Sequence, residues 1–302
     1  MHNYSLKKKK NRFIKYIHYK HSVLIKKEIF RFKADLIILG SYKFCIKKIF
    51  NKNDNIFYWL EKPELNTVVK KILKKLYYFL KFKRINKVFT VGSESLSYFR
   101  KFNLKKIINM PYAINLDHYQ KKNYKNNKGK INFLYIGQLI ERKGVIEMID
   151  AFKKINKNLN CQLNIVGEGG LKRKLINLNK KDSRINFLNF MSQKKLIKFM
   201  YKNDILILPS KFDGWGVVVN QAFAAGMPVI GSKNAGAVND YVVNNRNGLI
   251  INDVNKYSIY SKIKFYIDNP YKIIKHGKYA RKKIEKSLLN IKNSIKSIDK
   301  AF

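Results

Sequence analysis

The stretch PSKFDGWGVVVNQAFAAGMP, residues 209–228, decides how the rest of the chain is read. A run of apolar residues (204–208) stops at Pro209, as a buried strand does. An aromatic loop framed by Gly214 and Gly216 follows, then a helix of small residues, and Gly226 and Pro228 open the next apolar run. The two glycines leave backbone N–H groups at the helix start free to face a phosphate. Asp213 lies just before that helix and Gln221 two turns into it, where both are placed to grip the hydroxyls of a sugar and a ribose. The plainer alternatives are a helix cap for Asp213 and a solvated helix position for Gln221. The small-residue run 222–225 predicts close backbone packing.

Two further turns put glycine at the carboxyl end of a strand, where an open α/β sheet binds ligands. In GQLIERKG (137–144), Arg142 and Lys143 precede a glycine and a helix, so side-chain charge and helix dipole act together on an anion. VGEGG (166–170) either lets the backbone approach a ligand or is an ordinary strand-to-helix turn. Strands are expected at 131–137, 162–167, 185–189, 204–208, 228–231 and 249–251, with helices at 144–155 and 194–201 between them. This alternation predicts a parallel sheet covered on both faces. The tail from about 255 to 302 reads as basic helices.

Upstream, strands are expected at 34–40, 55–61 and 87–92, with Ser93 as N-cap of a following helix. The segment 68–83 repeats apolar residues at i, i+3, i+4 spacing, and lysines fill its other face. It is either a core-packing helix with a solvated basic face or a helix lying on an anionic membrane surface. KKNYKNNKGK (121–130) reads as a linker, and residues up to about 33 are basic and weakly patterned.

Composition narrows the partners. The chain has 302 residues, 46% of them hydrophobic, enough for real cores. Its formal charge is +45, from 64 Lys+Arg against 19 Asp+Glu. Nine of the 64 are Arg, so lysine supplies 55 of them, spread along the whole length. Nucleic-acid readers lean on Arg, whose planar fork pairs bidentately with phosphate and guanine, so no specific nucleic-acid partner is expected. Cys45 and Cys161 have no Cys or His at metal spacing, which fits a reducing cytosol. No apolar run spans a bilayer and no signal peptide is expected, so the reading is cytoplasmic; the lysine-rich surface and the membrane reading of 68–83 would add a peripheral position on the inner face of the plasma membrane.

Residues 131–252 resemble the nucleotide-sugar-binding domain of the family-4 glycosyltransferases, which have the GT-B fold. The resemblance rests on GQLIERKG, VGEGG, PSKFDGWGVVVNQAFAAGMPVIGS and NAGAVNDYVVNNRNGLII, and more weakly on KADLIILGSYK, NIFYWLEKP, VFTVGSES and INMPYAINLDHY upstream. It implies two Rossmann-like parallel-sheet α/β domains facing a cleft. Residues 1–127 would be an incomplete acceptor-side domain, lacking the family's opening strand and Gly-rich loop. Residues 128–265 would be the donor domain, and 266–302 C-terminal helices packing back toward the N-terminal domain.

Carried over by residue, the resemblance implies that Lys143, with Arg142, holds the donor diphosphate. The amides of Gly216 and Val217 receive the phosphates, Asp213 faces the transferred sugar, Gln221 grips the ribose, and the backbone at Phe190 and Met191 contacts the base. Gln138 stands where the family has an Arg, and Gln221 where it has a second Glu. Leu60-Glu61 stands where a His is frequent, so no general acid or base is assigned there. No metal or cofactor is expected; the nucleoside-diphosphate sugar is a co-substrate. The implied reaction is retaining, metal-independent hexosyl transfer to a saccharide or lipid-linked acceptor in cell-surface polysaccharide synthesis. The competing reading is a truncated relative that keeps the fold, or binds nucleotide sugar, without catalysis.

Overall fold

Short apolar runs separated by helical ones fold here as two parallel sheets. The computed structural model describes residues 37–40, 56–83, 87–120 and 129–299, with side chains from 38 to 289. The basic N-terminal stretch, Cys45, most of the linker and the boundary expected at 127 lie outside the described residues. Strands β1 (Ile37–Leu39), β2 (Ile56–Leu60), β3 (Lys87–Thr90) and β4 (Lys106–Asn109) form a four-stranded sheet in that order. Strand β4 was not among the expected strands: KIIN is too short to stand out from its lysine-rich surroundings.

The second sheet has six strands: β5 (Ile131–Ile136), β6 (Cys161–Val166), β7 (Ile185–Leu188), β8 (Ile205–Leu208), β9 (Val229–Ser232) and β10 (Gly248–Ile251). Their order is β10-β9-β8-β5-β6-β7, and every pairing is parallel. From β5 the chain moves to one side of the sheet and from β8 to the other. The loops leaving these two neighbouring strands therefore diverge and leave a crevice at their carboxyl ends. The central runs are buried on both faces, as in β8, where all four residues are buried.

Helices cover both faces. On one side α3 (Val145–Lys153) and α8 (Lys256–Asp268) pack together over Phe133, Leu163 and Ile207. On the other, α6 (Val218–Ala224), α7 (Gly236–Tyr241) and the long α9 (Tyr271–Asp299) meet over Leu206 and Leu208. Ala222, Ala224 and Ala225 are fully buried, and α9 lies against α6. The helix α8 runs past the boundary expected at 265. Helices α4 (Lys172–Asn179) and α5 (Gln193–Met200) complete the second half.

In the first sheet, α1 (Val68–Phe82) begins at Thr67, whose hydroxyl accepts a hydrogen bond from the Lys70 amide at 3.1 Å. Tyr78 and Phe82 sit among Tyr58, Phe99 and Phe102, and this aromatic cluster anchors the helix. The core-packing reading of its apolar stripe does not hold. Val68, Val69, Ile72, Leu73, Leu76, Phe79 and Leu80 are 51–69% exposed, because the face carrying Tyr78 and Phe82 is the one turned inward. Helix α2 (Ser93–Phe99) is capped by Gly92, at φ +87°, rather than by Ser93. The Ser93 hydroxyl and amide instead both donate to the Asp240 carboxylate on α7, a contact between the two sheets' domains.

Candidate active site

The two loops at the crevice are built to meet. After β5 a single 3-10 turn, Glu141–Lys143, ends at Gly144 in the left-handed region at φ +65°. A Cβ there would lie 2.0 Å from the Pro209 carbonyl oxygen, so only glycine lets this turn press against the end of β8. The Lys211 amide donates to the Arg142 carbonyl at 2.9 Å and locks the loops together. The loop after β8 is fixed on its other side, where the Asp213 amide donates to the Asn234 carbonyl at 3.0 Å and Ala237 to Trp215 at 2.8 Å. Trp215 is 1% exposed and plugs the gap between the loop and α7.

This framework brings Lys143 and Asp213 together, 70 residues apart in sequence, with Nζ 2.6 Å from Oδ2. Their side chains are only 13% and 14% exposed, so the pair is largely withdrawn from water, where a charge interaction is felt more strongly. Arg142 lies alongside, but its guanidinium donates to the Phe212 carbonyl at 2.6 Å and faces that ring. It therefore shapes the loop as well as adding charge. Gly216 follows Asp213 at φ +88° and turns the chain into α6, with Val217 half-exposed at its start.

The other residues read from the sequence lie around this centre. Gln138 is exposed, and its carbonyl accepts the Tyr135 hydroxyl at 2.8 Å. Gln221 is half-buried on α6. Phe190 is 71% exposed beyond β7, while Met191 packs on the core. Two glycines of the VGEGG turn, Gly167 and Gly169, have a partner within the protein. A Cβ on Gly167 would meet the Gly137 carbonyl at 1.9 Å, and one on Gly169 would meet Leu139. The close backbone approach they allow is to the 137–139 loop, which they hold in place.

Glu61 is the residue that sequence reasoning missed. It directly follows β2, at the carboxyl end of the first sheet, and it faces the crevice from the opposite side. Its Oε2 packs on Gly214, where an added Cβ would lie 2.2 Å away. The Tyr112 hydroxyl donates to its carboxylate. Burial raises the Glu61 pKa above the usual carboxylate range, and the Asp213 charge adds to this. The Tyr112 hydrogen bond, Lys143 and Arg142 oppose the rise. Beside this group a cavity of about 480 Å³ opens between residues 62–66 and Glu141, Arg142, Lys211 and Phe212. Among the described residues, no cluster of three or more His, Cys, Asp or Glu is arranged to hold a metal ion.

The crevice is bridged as well as lined. The Asn220 side chain on α6 donates to the Tyr112 carbonyl at 3.0 Å. Asn239 donates to Glu94 at 2.9 Å, and Arg281 of α9 reaches the carbonyls of Tyr119 and Ala224.

Comparison with known proteins places this geometry. Over 146 residues the chain is 33% identical to an uncharacterized glycosyltransferase of Methanocaldococcus jannaschii, an alignment covering 47% of this chain and 40% of that one. It therefore spans less than half the length of that relative. Among solved structures it superimposes on sucrose-phosphate synthase of Thermosynechococcus elongatus with a TM-score of 0.75, covering 92% of this chain and 77% of the other at 16% identity. It superimposes on Anabaena HepE, solved in complex with UDP, with a TM-score of 0.72, covering 92% and 82% at 14% identity. The two parallel sheets facing a cleft are the GT-B architecture of these structures. The sequence profile of the glycosyl transferases group 1 matches residues 118–283, more than half of the chain and the part that carries Lys143 and Asp213, and the chain belongs to that family.

Proposed function

We propose that the protein transfers a sugar from a nucleoside-diphosphate sugar to a hydroxyl of a saccharide or lipid-linked acceptor. One observation carries the reading: the Lys143–Asp213 pair at the switch point of the second sheet, inside the family-matched segment. In this reading Lys143 exchanges Asp213 for the donor diphosphate, and the released carboxylate accepts hydroxyls of the transferred sugar. Arg142 and the amides of Gly216 and Val217 share the phosphate charge, which builds up as the leaving group departs. Gln221 binds the ribose, Gln138 the edge of the diphosphate, and the backbone at Phe190 and Met191 the base. These residues supply the charge stabilisation without a metal. Transfer is retaining: the acceptor hydroxyl attacks on the face from which the diphosphate leaves.

The acceptor approaches through the 480 Å³ cavity beside Arg142 and Phe212. The apolar stripe of α1 supports a peripheral position on an anionic membrane. Lys70, Lys71, Lys74 and Lys75 are exposed with the stripe, so apolar burial and attraction to acidic headgroups act together. Among the described residues no helix is long and apolar enough to cross a membrane. In this reading the protein works at the cytoplasmic face of the plasma membrane, in cell-surface polysaccharide synthesis.

The test is a panel of uridine, guanosine and adenosine diphosphate sugars. One of them is expected to raise the melting temperature and to be consumed in the presence of a hydroxyl acceptor. A thermal shift without transfer or hydrolysis supports the second reading, a binding-only relative, which Gln138 and Gln221 favour. The absence of both responses, for every sugar in the panel, overturns the proposal.

A further inference from the structure

We propose that Glu61 is a second carboxyl of the reaction centre, supplied by the N-terminal sheet, whose anionic form stabilises the positive charge that develops on the transferred sugar. The inference deepens the glycosyltransferase reading and rests on it. Three observations carry it. Glu61 sits at the carboxyl end of β2, directly across the crevice from the β5 and β8 loops. Its carboxylate lies on Gly214, the residue after Asp213, and so at the sugar end of the proposed diphosphate site. Its partners are Tyr112, which donates a hydrogen bond to it, and the charges of Asp213, Lys143 and Arg142.

The chemistry balances without a further reactant. The bond between the anomeric carbon and the diphosphate oxygen breaks, and its electron pair stays with the diphosphate. The acceptor oxygen forms the new bond, and its proton passes to the departing diphosphate. Between these events the sugar ring carries positive charge, and Glu61 and Asp213 face it from opposite domains. Glu61 must be ionised for this, so its elevated pKa puts an acid limb on turnover above the ordinary glutamate range.

The experiment compares kcat and KM against pH for the wild type, Glu61→Gln and Tyr112→Phe, with the donor that the panel identifies. Glu61→Gln is expected to lower kcat about 100-fold while the donor KM stays within about threefold, the signature of an interaction made in the transition state. Its residual activity should lose the acid limb. Tyr112→Phe removes the hydrogen bond that favours the carboxylate, so its acid limb should move to higher pH. A Glu61→Gln enzyme with kcat within about threefold of wild type overturns the inference. So does an acid limb that persists unchanged in Glu61→Gln and does not move in Tyr112→Phe. If the wild type itself turns over no donor, the glycosyltransferase reading fails and takes this one with it.

Discussion

Helices α1 and α8 both place apolar residues at helical spacing, α1 in the more pronounced stripe, and the two meet opposite fates. In α8, Ile259, Ile263 and Tyr266 are completely buried against α3 and the second sheet. In α1, only Tyr78 and Phe82 are buried, and seven aliphatic or aromatic residues stand in solvent. Helical spacing says which residues share a face, but not what covers it; that depends on a second element far away in sequence. For α8 the second element is α3, about a hundred residues earlier, and the covered face serves stability. On α1 none of the described residues covers the stripe, and in our reading its partner is a membrane.

The largest contrast is in stability. Ile259→Ala should cost about 2–5 kcal/mol in urea denaturation. Ile72→Ala should stay within about 0.5 kcal/mol. Equal losses at the two sites would break the comparison. Next is pH. His276 of α9 is buried against α8, where its Nδ1 lies 2.9 Å from the Tyr266 hydroxyl. Burial, with Lys272 and Lys275 nearby, lowers its pKa to about 4. The folded protein thus favours the neutral ring, while the unfolded chain takes up a proton near the usual value of about 6.5. The contribution is therefore complete above about pH 6.5 and is lost as pH falls through 4, by about 3 kcal/mol in total. Denaturation midpoints measured across that window should fall in the wild type and flatten in His276→Gln.

A smaller effect is expected on the exposed face of α1. Leu76→Glu should weaken sedimentation with vesicles rich in acidic phospholipid by about tenfold, through lost apolar burial and charge repulsion, without lowering the melting temperature. Unchanged vesicle binding would leave the stripe without its proposed partner. The smallest effect belongs to the solvent side of α8. Lys264 and Asp268 form an exposed i,i+4 pair at 2.7 Å, and Lys264→Ala should leave the denaturation midpoint almost unchanged in the same assay.

Much of the second sheet was legible because its strands are continuous apolar runs, each stopped by glycine, proline or a polar turn. The observed strands differ from the expected ones by a residue or two at their ends. The meeting of Lys143 and Asp213 was anticipated by a general rule, that open α/β sheets gather ligands at the carboxyl ends of their strands. The same rule applied to NIFYWLE would have singled out Glu61. Without the packing of the two domains, though, nothing said that this strand end faces Gly214. The VGEGG glycines were legible as a site of close approach, but the approaching group is the protein's own 137–139 loop. The bond from Arg142 to the Phe212 carbonyl was invisible because it depends on how two distant loops are stitched together.

The central claim is that the crevice between the β5 and β8 loops receives a diphosphate on Lys143. Isothermal titration of uridine, guanosine and adenosine diphosphates into the wild type and Lys143→Met tests it directly. The account predicts that at least one binds the wild type and that Lys143→Met, still folded by circular dichroism, binds it at least about tenfold more weakly. Equal affinity for the two proteins, or no binding by any of the three, would contradict it.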